Sequence, residues 1–407
     1  MTMNRRQLLG TAAAAAAMLQ VPKAFAQGEP IVISSIYDRS GGLDVYGKPV
    51  SDMMEFAVAE QNAKGGVLGR PIELKTYDAQ SNNQIYAQFA RQTALSDQPA
   101  AVFAGITSSS REVIRPILGK QETLYFYTTQ YEGGVCDRNT FCTGVTPAQT
   151  VQKLVDYTME KTGKKVYIIA ADYNYGQITS DWVKKFTLDN GGEVLDVEFF
   201  PLDVSDFGTT ISKIQAANPD FVYSALVGGA HMSFYRQWNA AGMLGKIQVA
   251  STTFAGGNEH IALPPEEYNG HLVCQNYLQE LPGARNAQFV SDFHGQFGAD
   301  YPYITELAMG AYQAFLLWVA AVELAGTTDR MAVIEALETG ISVDAPSGKV
   351  TVDPGTHHTI VDVHVSEARD KQLLLLEKFE QQPPADTAAV CDLIANPDDN
   401  QQYVIEL

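Results

Sequence analysis

The side chains of this 407-residue chain with the most chemical promise are hydroxyls, phenols and amides placed where short apolar runs end. Thr107-Ser108-Ser109-Ser110 follows the run Ala101–Ile106, and Tyr127-Thr128-Thr129-Gln130-Tyr131-Glu132 closes the next one. Asp172-Tyr173-Asn174-Tyr175, Gly228-Gly229, Thr252-Thr253 and Asn276-Tyr277 end four more. These groups donate, accept and stack, and few are charged. They suit hydrogen bonding to a small neutral or zwitterionic molecule rather than bond breaking. A hydroxyl at a helix start also caps free N–H groups, but one suffices for that, and four stand here.

The patterns of covalent and metal chemistry are missing from the sequence. It has no GxSxG, HExxH, GxxxxGK[ST] or GxGxxG. Gly65-Gly66-Val67-Leu68-Gly69 follows a helical pattern, so it reads as a turn and not a phosphate loop. Asp398-Asp399 lacks the alternation of a calcium loop, and His357-His358 fits a turn between strands. The expectation is therefore no catalysis, no cofactor and no metal. An exported hydrolase, the enzyme class to weigh, lacks a nucleophile–base motif.

The elements that must position these groups alternate along the chain. Strand patterns at Ile31–Tyr37, Ile72–Tyr77, Ala101–Ile106, Leu124–Thr128, Lys165–Ala170, Glu193–Phe199, Phe221–Leu226 and Ile247–Ser251 are separated by amphipathic helical ones. Such alternation builds parallel sheets covered by helices on both faces, and ligands bind at the carboxyl ends of the strands. There are too many units for one sheet, so two lobes are expected, with a break near Phe141–Thr150. Helices at Asn286–Phe297, Thr305–Ala325 and Asp329–Thr339 precede strands at Lys349–Val352, Ile360–Val365 and Leu373–Phe379. The tail from Gln381 looks like an appendage.

The ends and the composition set the compartment. Arg5-Arg6, the uncharged run Leu8–Val21 and Ala24-Phe25-Ala26 form an export signal, and residues 1–26 are its expected extent. The paired arginines resemble the twin-arginine type; an ordinary secretory signal with two arginines is the alternative. Gln27 follows where a lipid-anchored protein would have Cys, and no later apolar stretch is expected to span a membrane. A soluble, exported protein is expected, working where there is no ATP or NADH. The chain carries −19, and because residues 1–26 hold three cations and no acid, the remainder carries −22. Such charge repels nucleic acid and anionic lipid. Of the four cysteines, Cys136 and Cys142 sit close together and a local disulfide between them is expected; Cys274 and Cys391 then either pair or stay free, and three connectivities are open.

Two longer stretches add a family. Asn62-Ala63-Lys64-Gly65-Gly66-Val67-Leu68-Gly69-Arg70-Pro71-Ile72-Glu73-Leu74 and the segment from Val204-Ser205-Asp206-Phe207 to Asn218-Pro219-Asp220-Phe221-Val222 resemble the leucine/isoleucine/valine type of ABC-transporter binding protein. Tyr127–Gly133 and Asp353-Pro354 with His357-His358-Thr359 resemble its urea and short-chain-amide branch. The resemblance covers roughly residues 30–379. It implies a type I periplasmic binding protein: two doubly wound parallel-sheet lobes on a three-crossover hinge, closing on a small solute and docking on a membrane permease. The implied lobes are 28–146 with 278–340, and 147–277 with 341–380, followed by an extension at 381–407. A monomer is expected, in the periplasm.

Carried across, the resemblance assigns Ser108 to a first-lobe serine, Tyr127 and Thr129 to donors on the next strand end, and Tyr173 to the aromatic that closes from the second lobe. Ser109, Gln130, Tyr131, Asp172, Tyr175, Gly228, Thr252 and Thr253 complete the expected ligand site. Urea or a short-chain amide is the expected ligand. An aliphatic amino acid is the alternative, with Asp172 or Glu132 meeting its ammonium, and a periplasmic ligand sensor is a further one. Urea and amide binders often have an aromatic where Gly105-Ile106 stands, and Pro where this chain has Gly176.

Overall fold

The computed structural model describes residues 28–404, and the stretch read as an export signal lies outside the described residues. Six strands come first: β1 (Ile31–Tyr37), β2 (Ile72–Asp78), β3 (Val102–Ala104), β4 (Tyr125–Tyr127), β5 (Val135–Asp137) and β6 (Thr140–Cys142). Helices α1 (Asp44–Ala63), α2 (Asn83–Gln92) and α3 (Ser108–Lys120) connect the first four. The sheet order is β2-β1-β3-β4-β6, all parallel. Side chains of β3 and β4 are buried throughout, as expected of strands covered on both faces.

The pattern then repeats. Strands β7 (Lys165–Ala171), β8 (Glu193–Phe200), β9 (Phe221–Ala225), β10 (Gln248–Ser251) and β11 (His271–Gln275) alternate with α4 (Val151–Thr162), α5 (Asn174–Asp189), α6 (Gly208–Ala217), α7 (Gly229–Ala240) and the short α8 (Glu259–Ala262). Their order is β11-β10-β9-β7-β8, again parallel. The chain next returns to the first group through α9 (Ala284–Phe297), α10 (Glu306–Ala325) and α11 (Arg330–Leu337). There α1 packs on α10, and Tyr312 donates to Glu60 at 2.7 Å. This is the mixed α/β, doubly wound architecture expected.

The return path differs in detail from the sequence reading. Strands β12 (Ser342–Ala345) and β13 (Gly348–Asp353) belong with the first group, not with the second to which residues 341–380 were expected to belong. The long β14 (His358–Arg369) bridges the groups. Its first residue pairs with Cys142 of β6, and its later part runs antiparallel to β11 and to β15 (Gln372–Gln382). The chain thus crosses between the groups after β6, after β11 and after β13.

Helix α10 is long and apolar enough to cross a membrane by length and composition, so the expectation of no such stretch does not hold. It is a core helix: Phe315, Trp318 and Val322 are almost wholly buried.

The cysteine expectations are overturned. Cys136 is bonded to Cys391, while Cys142 and Cys274 are buried free thiols. The reason is topological. Cys142 lies in β6, inside the main sheet, whereas Cys136 lies in β5, which leaves that sheet to pair with β16 (Asn400–Gln402) of the tail. Cys274 is likewise locked inside β11. The tail is no loose appendage. Through the short α12 (Ala385–Ala388), Asp386 accepts from Thr146 and from the Ala148 N–H, and Thr387 accepts from the Gly134 N–H.

Candidate functional site

The site begins at the end of β3. Gly105 takes φ +89°, and a Cβ there would stand 3.2 Å from the Tyr125 hydroxyl and 3.3 Å from the Tyr127 ring. Only glycine accommodates both the backbone and the crowding. The chain then turns into α3 through a reciprocal cap. Thr107 Oγ1 accepts from the Ser110 N–H at 3.1 Å, and Ser110 Oγ accepts from the Thr107 N–H at 3.1 Å. Two of the four consecutive hydroxyls are thereby used structurally, and Ser108 is left at the first helical position.

A cavity lies where the carboxyl ends of the two strand groups face each other. The first group contributes Ile106, Thr107 and Ser108, then Thr129 and Gln130 beyond β4, with Tyr46 from α1 and Leu307 from α10. The second contributes Tyr173 and Tyr175 beyond β7, Val227 beyond β9, and Thr253 and Gly256 beyond β10. The cavity volume is about 40 Å³. No charged side chain is among these lining residues.

The wall is held by bonds across the cleft. Gln130 Nε2 donates to the Thr252 carbonyl at 2.9 Å. The Tyr46 hydroxyl accepts from the Gly228 N–H at 2.9 Å and donates to Glu259 at 3.3 Å. Asn174 Nδ2 donates to Glu132 at 3.4 Å, and Trp182 Nε1 donates to the Glu132 carbonyl at 3.2 Å. The two groups are therefore closed on the cavity. Within the wall, Thr129 donates to the Gly105 carbonyl at 3.2 Å and Thr253 to the Leu226 carbonyl at 2.9 Å. Ser108 donates its proton to Glu132, so its lone pairs are what it offers the cavity.

Behind the wall lies the charge. Arg111 and Glu132 form a fully buried ion pair at 2.9 Å, and the guanidinium also lies over the rings of Tyr127 and Tyr131, 5.0 and 4.4 Å from their centroids. On the other side His231 and Glu259 are 3.7 Å apart and buried. Mutual attraction would charge both, but burial dominates. It raises the Glu259 carboxyl to about 7 and lowers the His231 imidazole to about 4, so the pair is mostly neutral between about pH 4 and 7.

Six expected site residues line the cavity: Ser108, Thr129, Gln130, Tyr173, Tyr175 and Thr253. The others do not. Tyr127 points behind the wall and donates to the Ile106 carbonyl at 3.2 Å, and Tyr131 stacks on His358. Ser109 bonds Thr107 instead. Asp172 is exposed and accepts from Gln177. Gly228 and Thr252 act through their backbones, as partners of Tyr46 and Gln130. Sequence reasoning missed Tyr46, Ile106, Val227, Gly256 and Leu307. Tyr46 lies in the first turn of α1, which begins at Asp44 soon after β1.

Residues 31–381 match the model of the family described as periplasmic binding protein domain. The chain belongs to that family. Among curated relatives, the binding protein is 24% identical over 387 residues to Leu/Ile/Val-binding protein homolog 4 of Brucella abortus (strain 2308), which covers 91% of each chain. Among solved structures it resembles a solute-binding protein of an ABC transporter from Rhodopseudomonas palustris BisB5, in complex with 3,4-dihydroxybenzoic acid. The TM-score is 0.79 at 19% identity, covering 87% of this chain and 98% of that one. An amino acid ABC transporter substrate-binding protein from Pseudomonas fluorescens Pf-5 matches equally well, with TM-score 0.79 at 19% identity over 89% of this chain and 99% of the other. Both of these structures are described as solute- or substrate-binding proteins of ABC transporters.

Proposed function

We propose that this chain is the periplasmic component of an ABC importer, capturing urea or a short-chain amide in the interlobe cavity and delivering it to a membrane permease. The observation that carries this is the cavity itself: small, lined by hydroxyls, phenols and an amide beside Ile106, Val227 and Leu307, and without a charged side chain. Amide N–H groups would be met by Ser108 Oγ and the Gln130 carbonyl oxygen, and the ligand carbonyl by free N–H groups at the start of α3. Burial makes each unmade bond cost about 1–3 kcal/mol, which is the source of specificity. The lobes, 28–146 with 278–340 and 147–277 with most of 341–380, hinge apart to release the solute. Export by the twin-arginine route and a monomeric state complete the proposal.

A second reading is an aliphatic amino acid, favoured by the curated relatives' names and by the apolar Ile106, Val227 and Leu307 in the wall. It lacks a free counter-ion: Glu132 is engaged by Arg111, and Asp172 is exposed elsewhere. Aromatic acids, bound by several structural neighbours, would bring an unpaired carboxylate into a wall without a charged side chain. Calorimetric titration of the chain from Gln27 onward with urea, acetamide, leucine and benzoate separates these classes. Heat of binding with leucine or benzoate alone would overturn the proposed ligand.

A further inference from the structure

The C-terminal segment reaches the cavity wall through a chain of polar contacts. Gln402 Oε1 accepts from Arg111 Nη2 at 2.7 Å. The same nitrogen donates to Glu132 at 2.9 Å, and Glu132 in turn takes the proton of Ser108. Gln402 Nε2 donates to the Gly133 carbonyl at 2.8 Å, and the Tyr403 N–H to the Gly134 carbonyl at 2.8 Å. The Cys136–Cys391 disulfide pins the same loop from its other end. Arg111 and the Glu132 side chain have no exposed surface.

We propose that Gln402 and the disulfide-tethered segment 385–404 are positioning elements of the ligand site, holding Arg111 and Glu132 so that Ser108 presents lone pairs and the site selects ligands that donate N–H. Glu132 does this by taking the serine proton. A ligand atom at Ser108 must then be a donor, and an anionic oxygen there meets only lone pairs with a carboxylate behind them. Arg111 Nε donates to Glu112 at 2.9 Å, and Gln402 supplies the second acceptor on Nη2, which fixes that end of the guanidinium where Glu132 can reach both it and Ser108. The inference rests on the proposal that the cavity is the ligand site, and on no particular solute.

Acetamide and acetate test it, being close in shape and opposite in donor capacity. Glu132→Gln would strand a buried guanidinium and threatens folding, so the variants are Gln402→Ala, on the half-buried tail, and Cys391→Ser. The wild type is expected to bind acetamide well above acetate. In both variants acetamide binding is expected to weaken by about tenfold, and the preference over acetate to narrow, at temperatures well below unfolding. Unchanged affinity and preference in folded variants would overturn the inference, because a purely structural tail would lower only the melting temperature. If the wild type binds neither probe, the proposed ligand fails instead. Hydrogen exchange on the ligand-free protein then decides: faster exchange in both 105–112 and 128–137 of Gln402→Ala supports the coupling, and exchange altered in 128–137 alone, or in neither, refutes it.

Discussion

Gln130 and Thr252 meet across the cleft, the side-chain amide of one donating to the backbone carbonyl of the other at 2.9 Å. The donor stands just beyond β4 and the acceptor just beyond β10, so the bond exists only when the two strand groups are closed. Gln130 also lines the cavity, which joins ligand contact and closure in one side chain. Gln130→Ala should weaken solute binding by roughly 5–30-fold, the cost of one or two lost hydrogen bonds, while leaving the ligand-free melting temperature nearly unchanged. Titration calorimetry beside a thermal melt checks both halves of this expectation.

Tyr173 presents a partly buried ring to the cavity from the second strand group. Tyr173→Ala should reduce affinity about tenfold or more without unfolding the protein, since few core contacts depend on it. Unchanged affinity in a folded variant would remove Tyr173 from the site.

The disulfide closes a sequence separation of 255 residues. Cys391→Ser should therefore cost about 2–5 kcal/mol of stability. Thiol titration provides an independent check: the native, oxidised protein should show no reactive thiol, because Cys142 and Cys274 are buried, and the unfolded, unreduced chain should show those two. Peptide mapping that recovers Cys136 linked to Cys142 would contradict the pairing.

Stability should peak near neutral pH, from opposing buried groups. Burial lowers His231, His358 and His364 to about 4, and His260 and His271 to about 3, against an ordinary 6.5. The unfolded chain binds those protons first, so this contribution is present above pH 6.5 and is lost as pH falls toward 4 and below. Burial raises Glu259 to about 7 and Glu306 to about 8 against 4.5. Here the folded state holds the protons, so the contribution is present below pH 4.5 and is lost as pH rises through 7 to 8. Five histidines outweigh two carboxyls on the acid side. Unfolding in guanidinium chloride from pH 5 to 8.5 should show a maximum close to pH 7. Glu259→Gln should flatten the alkaline limb, and a limb of unchanged slope would contradict the assignment.

Much of the scaffold was legible because its signals are local. Apolar runs such as Val166–Ala171 stand between amphipathic helices, and each element needs only its own residues to declare itself. The strand ends that build the cavity followed from that alternation, which is why Ser108, Thr129, Tyr173 and Thr253 were within reach. Which side of a strand end faces the cavity was not. Tyr127 and Tyr131 are as polar and aromatic as Tyr173, yet both turn back to sandwich Arg111, and Asp172 turns out to solvent. Leu307 comes from a helix far along the chain, with nothing in its composition to separate it from the core. The cysteines misled for the same reason. Nearness in sequence favoured Cys136 with Cys142, but β5 and β6 belong to different sheets, and the true partner arrives 255 positions later.

The central claim, a closed cavity built for a small neutral amide, is tested most directly by a thermal-shift panel on the chain from Gln27 onward. It should include urea, formamide, acetamide, leucine, valine and benzoate. A ligand at about 100 times its dissociation constant stabilises by about 2.7 kcal/mol, a clear shift. The account predicts a shift with urea or a short-chain amide and none with the acids. A shift confined to amino acids or benzoate, or no shift with any of these, would contradict it.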